Sequence, residues 1–133
     1  MDSTAGHYDK QGNACIKLHL HGAKHSAPGP EYIGIIDTGF TGFIQVPFSV
    51  AFALGIPLDG TNTFTLANGT KHVALMGLVV ATFSGREEVG VAVLSTSSEI
   101  LIGMDFLRRF KQALVVSQSG VSLVDENTIP ASS

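Results

Sequence analysis

Residues 35–43, IIDTGFTGF, place a single carboxylate, Asp37, between an apolar run and a glycine turn. A charge at the end of a buried strand is costly unless something compensates it. Upstream, EYIGIID (31–37) is a short apolar strand that delivers Asp37 to its end, and Gly39 permits the chain to turn sharply after it. Thr38 adds a hydroxyl able to tie the turn down. The tripeptide on its own is equally an Asx turn, its carboxylate satisfied by backbone N–H groups. The spacing Gly39-x-x-Gly42 is too short a pattern to read as a phosphate loop, and neither a P-loop nor G-x-G-x-x-G occurs anywhere in the chain.

Working outward, period two dominates. CIKLHLHG (15–22) alternates Ile16, Leu18 and Leu20 with Lys17, His19 and His21, the pattern of a half-buried strand. AKHSAPGP (23–30) is a loop. VPFSVAFALGIPL (46–58) predicts a short helix near 48–54, stopped at Gly55. NTFTL (62–66) and KHVALMGLVVATF (71–83) flank Asn68-Gly69, a hairpin signal because both residues tolerate positive φ. SGREEVGVAVL (84–94) adds a turn and a strand. EILIGMDFLRRF (99–110) reads as a buried strand, a break at Gly103 and one or two helical turns. ALVVSQSGVSLVDE (113–126) reads as a hairpin turning near Ser119-Gly120. Many short strands with frequent turns predict an all-β barrel or sandwich carrying one or two short helices.

The 133 residues correspond to one domain, 1–133, with 1–12 and 127–133 expected to be flexible. Charged residues make up only 14% and the formal charge is −3, so no basic stripe supports nucleic-acid binding. Arg108, Arg109, Phe110 and Lys111 read as a solvated helix end. No run is long and apolar enough for a membrane span, and the first residues lack a secretory signal, which makes cytoplasm the expected compartment. Cys15 is the single cysteine, expected to be a small buried hydrophobe. His19 and His21 share a strand face at ligand spacing, with His25 a conceivable third ligand; an exposed polar face explains them equally, and no metal or cofactor is expected.

The order apolar strand, Asp-Thr-Gly, short helix, Asn-Gly hairpin, strands, apolar-apolar-Gly and helix resembles the retropepsin-like aspartic proteases over roughly residues 14–125. IIDTGFTGFIQVP (35–47) is similar to their active-site segment. ILIGMDFL (100–107), with Ile102 and Gly103, is similar to their second marker, about 65 residues on. The motifs look closest to bacterial members. Viral members commonly carry Ala and an acid after Asp-Thr-Gly and Arg after the second Gly; this chain has Phe40, Thr41 and Met104, a joint loss that strands no charge. The tip TLANGT (65–70) holds only Gly69 where such flaps are glycine-rich.

The resemblance implies a closed or semi-open barrel with a two-fold homodimer. It implies Asp37 as catalyst, with Thr38, Gly39 and Thr41 supporting its loop and Leu66, Ala67, Asn68 and Gly69 forming a flap over a peptide or protein substrate. Phe40, Ile44, Leu66 and Val91 are offered as subsite walls, and IKLHL (16–20) and VSLVD (121–125) as interface strands. Because the chain has one Asp-Thr-Gly, a catalytic pair requires a second copy. Asp105, after Gly103, reads as a helix N-cap instead. The expected activity is an aspartic endopeptidase; the alternative is a weakly active or inactive dimeric peptide-binding module of the same fold.

Overall fold

A computed structural model of the chain describes residues 3–23, 29–56, 60–65 and 68–128. In chain order the elements are β1 (Ser3–Ala5), β2 (His7–Tyr8), β3 (Ala14–Gly22), β4 (Glu31–Ile36), β5 (Ile44–Pro47), α1 (Phe48–Ala53), β6 (Gly60–Thr65), β7 (Lys71–Phe83), β8 (Arg86–Ser95), β9 (Ile100–Ile102), α2 (Met104–Arg109), β10 (Gln112–Ser117) and β11 (Gly120–Asp125), followed by a 3-10 turn, Glu126–Thr128. No helix among the described residues is long and apolar enough to cross a membrane.

Six strands close into a barrel in the order β3-β4-β9-β5-β8-β7 and back to β3. Closure depends on β3 changing partner. Its first half pairs with β4, Cys15↔Ile35 through His19↔Glu31, and its second half pairs with β7, His19↔Thr82 through Gly22↔Val79. Closing the sheet removes most of its edges. The alternation in β3 survives folding, with Ile16, Leu18 and Leu20 fully buried. His21 departs from it. It stands on the polar side of the pattern yet is only 6% exposed, and the chain at Gly29 runs close beside it: a Cβ on Gly29 would come within 2.8 Å of the His21 Cβ.

The core is anchored by four phenylalanines. Phe106 and Phe110 lie 4.5 Å apart between ring centroids, Phe43 is 5.3 Å from Phe106, and Phe83 is 6.0 Å from both helix-side rings. Burial of such a side chain contributes about 1.5–3 kcal/mol. Phe110 therefore belongs to the core, not to a solvated helix end; only Arg108, Arg109 and Lys111 around it are exposed. Arg109 lies over the Phe43 ring at 5.2 Å and pairs with Glu88 at 3.3 Å.

Several local expectations shift. Residues 3–8 are not loose: β1 pairs with β11 and β2 with β3. The Tyr8 hydroxyl donates to the Ser117 carbonyl at 2.7 Å, tying this segment to the last hairpin. That hairpin turns at Gln118-Ser119, since Gly120 is already paired with Ser117. The two-residue mirror-image turn is found at Ser84-Gly85, both with positive φ, joining Phe83 to Arg86. The Asn68-Gly69 connection is longer: Thr65 pairs with Lys71, leaving five residues between strands. Among its described residues only Gly69 has positive φ, while Asn68 Oδ1 accepts the Thr70 N–H at 3.0 Å. The interface strands are corrected as well. VSLVD lies within β11, paired with β1 on one side and β10 on the other, and IKLHL lies within β3, paired with β4 up to His19 and with β7 from His19 on.

Candidate active site

The two segments that carry the sequence argument are neighbours in the barrel. β4 and β9 run parallel with Ile36 opposite Ile102, so Asp37 and Gly103 are the first residues beyond two adjacent strand ends. β5 flanks β9 on its other side, Ile44 opposite Ile102, and the Asp37–Phe43 loop therefore crosses the end of β9.

Four backbone hydrogen bonds stitch that loop to the 102–105 segment. The Asp37 N–H donates to the Ile102 carbonyl at 2.9 Å. In return the N–H groups of Gly103, Met104 and Asp105 donate to the carbonyls of Phe43 (3.1 Å), Phe40 (2.8 Å) and Gly42 (3.1 Å). A helix leaves its first N–H groups without intrahelical partners. In α2 the loop supplies those partners, which explains why its N-cap, Gly103, needs no side-chain cap. Asp105 is accordingly not the N-cap: it sits in the first turn and faces Arg108 at 3.5 Å.

The stitching requires close approach. A Cβ on Gly103 would lie 2.0 Å from the Gly42 carbonyl oxygen and 2.7 Å from the Phe40 ring; a Cβ on Gly42 would lie 2.7 Å from the same ring. Gly39 takes no part in it, since a Cβ there would meet only Asp37 Oδ1 at 3.2 Å; the packing belongs to Gly42 and Gly103. Phe40 consequently folds back over the two glycines, where it is half-buried.

Within the loop Asp37 is half-buried, and its Oδ1 accepts the Gly39 N–H at 2.9 Å while its carbonyl accepts from Phe40 at 3.1 Å. The carboxylate is thus held in one orientation with its second oxygen unpaired among the described residues. Thr38, Gly39 and Thr41 are exposed beside it, and neither threonine hydroxyl has a hydrogen-bond partner among the described residues. The other described aspartates are occupied. Asp9 accepts from the Asn13 side chain and from the N–H groups of Asn13 and Gln11, which hold it below the usual aspartate range, the Asn13 side chain first. Asp105 faces Arg108, and Asp125 accepts the Asn127 N–H.

The remaining expected residues fall elsewhere. Asn68 and Gly69 are exposed at the tip of the β6–β7 hairpin, with no hydrogen bond to the Asp37 loop; Leu66 and Ala67 lie outside the described residues. Ile44 is fully buried in the core and cannot wall a subsite, and Phe40 is committed to the two glycines; Val91 is exposed on the barrel's outer surface. His19 Nδ1 lies 2.8 Å from the Gly29 carbonyl and His21 is buried, while His25 lies outside the described residues. No group of three potential metal ligands occurs among the described residues. Cys15 is buried, and burial first, then the Asp9 charge, pushes its thiol up, away from nucleophilic behaviour.

The sequence matches no protein-family model and no curated protein. Solved structures do share its architecture. A retropepsin-like aspartic protease from Rickettsia conorii matches with a TM-score of 0.67 and 19% identity, covering 91% of this chain and 89% of that one. EIAV protease complexed with the inhibitor HBY-793 matches with a TM-score of 0.60 and 12% identity, covering 82% of this chain and 98% of that one. Identity at this level speaks to architecture alone, and by architecture the chain has the retropepsin-like fold.

Proposed function

We propose that this protein is an aspartic endopeptidase that works as a homodimer, with Asp37 as its catalytic residue. One observation carries the reading: a carboxylate oriented by the Gly39 amide, on a loop bonded to the start of α2, within the retropepsin-like fold. Peptide hydrolysis without a metal or a nucleophilic side chain needs a base to activate water and an acid to polarise the carbonyl. Two carboxylates sharing one proton supply both roles, since like charges so close cannot both ionise. The chain offers one such loop, so the second carboxylate is Asp37 of another copy across a two-fold axis.

In this reading Thr38 and Thr41, whose hydroxyls have no partner among the described residues, meet the opposite loop, and the β6–β7 hairpin closes over the peptide. A shared proton also dictates the pH profile: cleavage is greatest where the pair holds one proton and falls on either side. Asp37→Asn is expected to lower cleavage of a peptide pool by on the order of a thousandfold or more while leaving the dimer folded. Cleavage by Asp37→Asn at the wild-type rate, or full activity at the mass of one chain, would sink the proposal. Peptide binding without pepstatin-sensitive turnover at mildly acidic pH would instead mark a non-catalytic peptide-binding module, the reading favoured by a flap tip whose one glycine is Gly69.

A further inference from the structure

β4 delivers more than Asp37. On its outer side Ile33 and Ile35 floor an open cleft of about 340 Å³, bounded by the turn between β2 and β3 and by Glu99, the residue ahead of β9. Ile33 is 53% exposed there. The Asp37 N–H donates to the Ile102 carbonyl, which extends the β4–β9 pairing by one residue. Ile35 and Asp37 therefore project from one side of the sheet, their Cα atoms about 7 Å apart. Two carboxylates, Asp9 and Glu99, stand on the rim of the cleft. Asp9 accepts only uncharged donors, from Gln11 and Asn13, and Glu99 forms no ion pair among the described residues. His7 and Lys10 also line the cleft, yet both are exposed and neither pairs with either acid. Cys15, in the wall, reports the convergence of the two acids: burial first, then the charges of Asp9 and Glu99, push its thiol up.

We propose that this cleft receives a lysine or arginine side chain of the bound peptide, and that Glu99 is the residue that selects it. The proposal rests on the endopeptidase reading above and adds a substrate preference to it. An apolar floor with an acidic rim matches a side chain that lays a hydrocarbon stem on isoleucine and carries its charge to the edge. A floor of isoleucines alone would take any aliphatic side chain; the two acids disfavour an acidic one and favour a cation. A metal ion is a poor occupant, because no group of three potential ligands occurs among the described residues. Of the two acids, Asp9 spends its oxygens on the turn, where Asn13 and Gln11 hold it below the usual aspartate range, the Asn13 side chain first. It thus supplies a charge that persists at mildly acidic pH. Glu99 has its backbone fixed by donation to Ser97 Oγ at 3.1 Å, while its carboxylate is uncommitted among the described residues. That leaves Glu99 to meet the cation directly.

The test uses the full chain and peptides that differ at one position, carrying lysine, arginine or the uncharged norleucine at each site in turn. At one fixed position relative to the cleaved bond, kcat/KM is expected to favour lysine over norleucine by about fivefold, the size of a partly exposed ion pair. Molar salt should shrink that ratio. Glu99→Gln should bring it close to one, Glu99→Asp should keep most of it, and Glu99→Lys should reverse it. Glu99 is exposed, so circular dichroism should stay native in all three. A ratio that is the same in the wild type and Glu99→Gln, or no preference for lysine at any position, overturns the proposal and leaves the endopeptidase reading standing. If the wild type cleaves nothing, that reading fails, and fluorescence anisotropy with the same peptides decides the cleft. Tighter binding of the lysine peptide that Glu99→Gln abolishes keeps the cleft; equal binding of lysine and norleucine peptides removes it.

Discussion

The Asp37–Phe43 loop and the Thr65–Lys71 connection are of similar length, yet they are built in opposite ways. The first is bonded to the 102–105 segment by four backbone hydrogen bonds, packed through glycines that admit no Cβ, and anchored by Phe43 in the aromatic cluster. Among its described residues the second has one local bond at its tip, from the Thr70 N–H to Asn68 Oδ1, and open space around Gly69. Under the proposed function, a carboxylate that must meet a reacting carbonyl within a fraction of an ångström profits from the first construction. Under the same proposal, a segment that admits and releases a peptide profits from the second.

Substitutions should separate the two in a fixed order. Gly103→Ala drives a methyl group into the Gly42 carbonyl and the Phe40 ring, so it should show the largest effect. We expect a loss of roughly 1–3 kcal/mol in urea unfolding, with peptide cleavage falling further than stability explains. An unaltered midpoint would mean that the stitching is not a tight contact. Gly69→Ala meets no atoms but occupies φ +85, and should lower stability by about 1 kcal/mol while changing KM more than the folded fraction. Asn68→Ala removes only the tip bond and should stay within about 0.5 kcal/mol of the wild type by thermal melting. If Asn68→Ala destabilised more than Gly103→Ala, the contrast between the loops would be wrong.

Much of this arrangement is legible in the residues. Alternation in CIKLHLHG marks the inner face of β3, and the run before Gly55 marks α1 (Phe48–Ala53), because each pattern is local and repeats over enough residues to be read. What pattern misses is decided by pairing at a distance. Asn68-Gly69 has the better mirror-turn chemistry, but the register of β7 against β6 and β8 gives the two-residue turn to Ser84-Gly85. β1 and β2, three and two residues long, are too short to show any period. His21 follows the polar side of its strand yet is buried, with the distant chain at Gly29 close beside it, a proximity no local pattern encodes. The juxtaposition of Asp37 and Gly103 has no periodic signature either; it was readable only through the resemblance of the two segments to a known pair.

The exchange of N–H groups and carbonyls between the Asp37 loop and α2 also has a temporal consequence. A six-residue helix is far too short to persist unaided in water, and the loop it completes lacks its donors until that helix arrives. During synthesis, a nascent chain that has emerged only as far as Ser98 already contains Asp37, but not the 102–105 segment to which its loop is bonded. The loop can reach its bonded form only once residues 102–105 have followed it, so translation delivers the Asp37 segment well before the contacts that fix it.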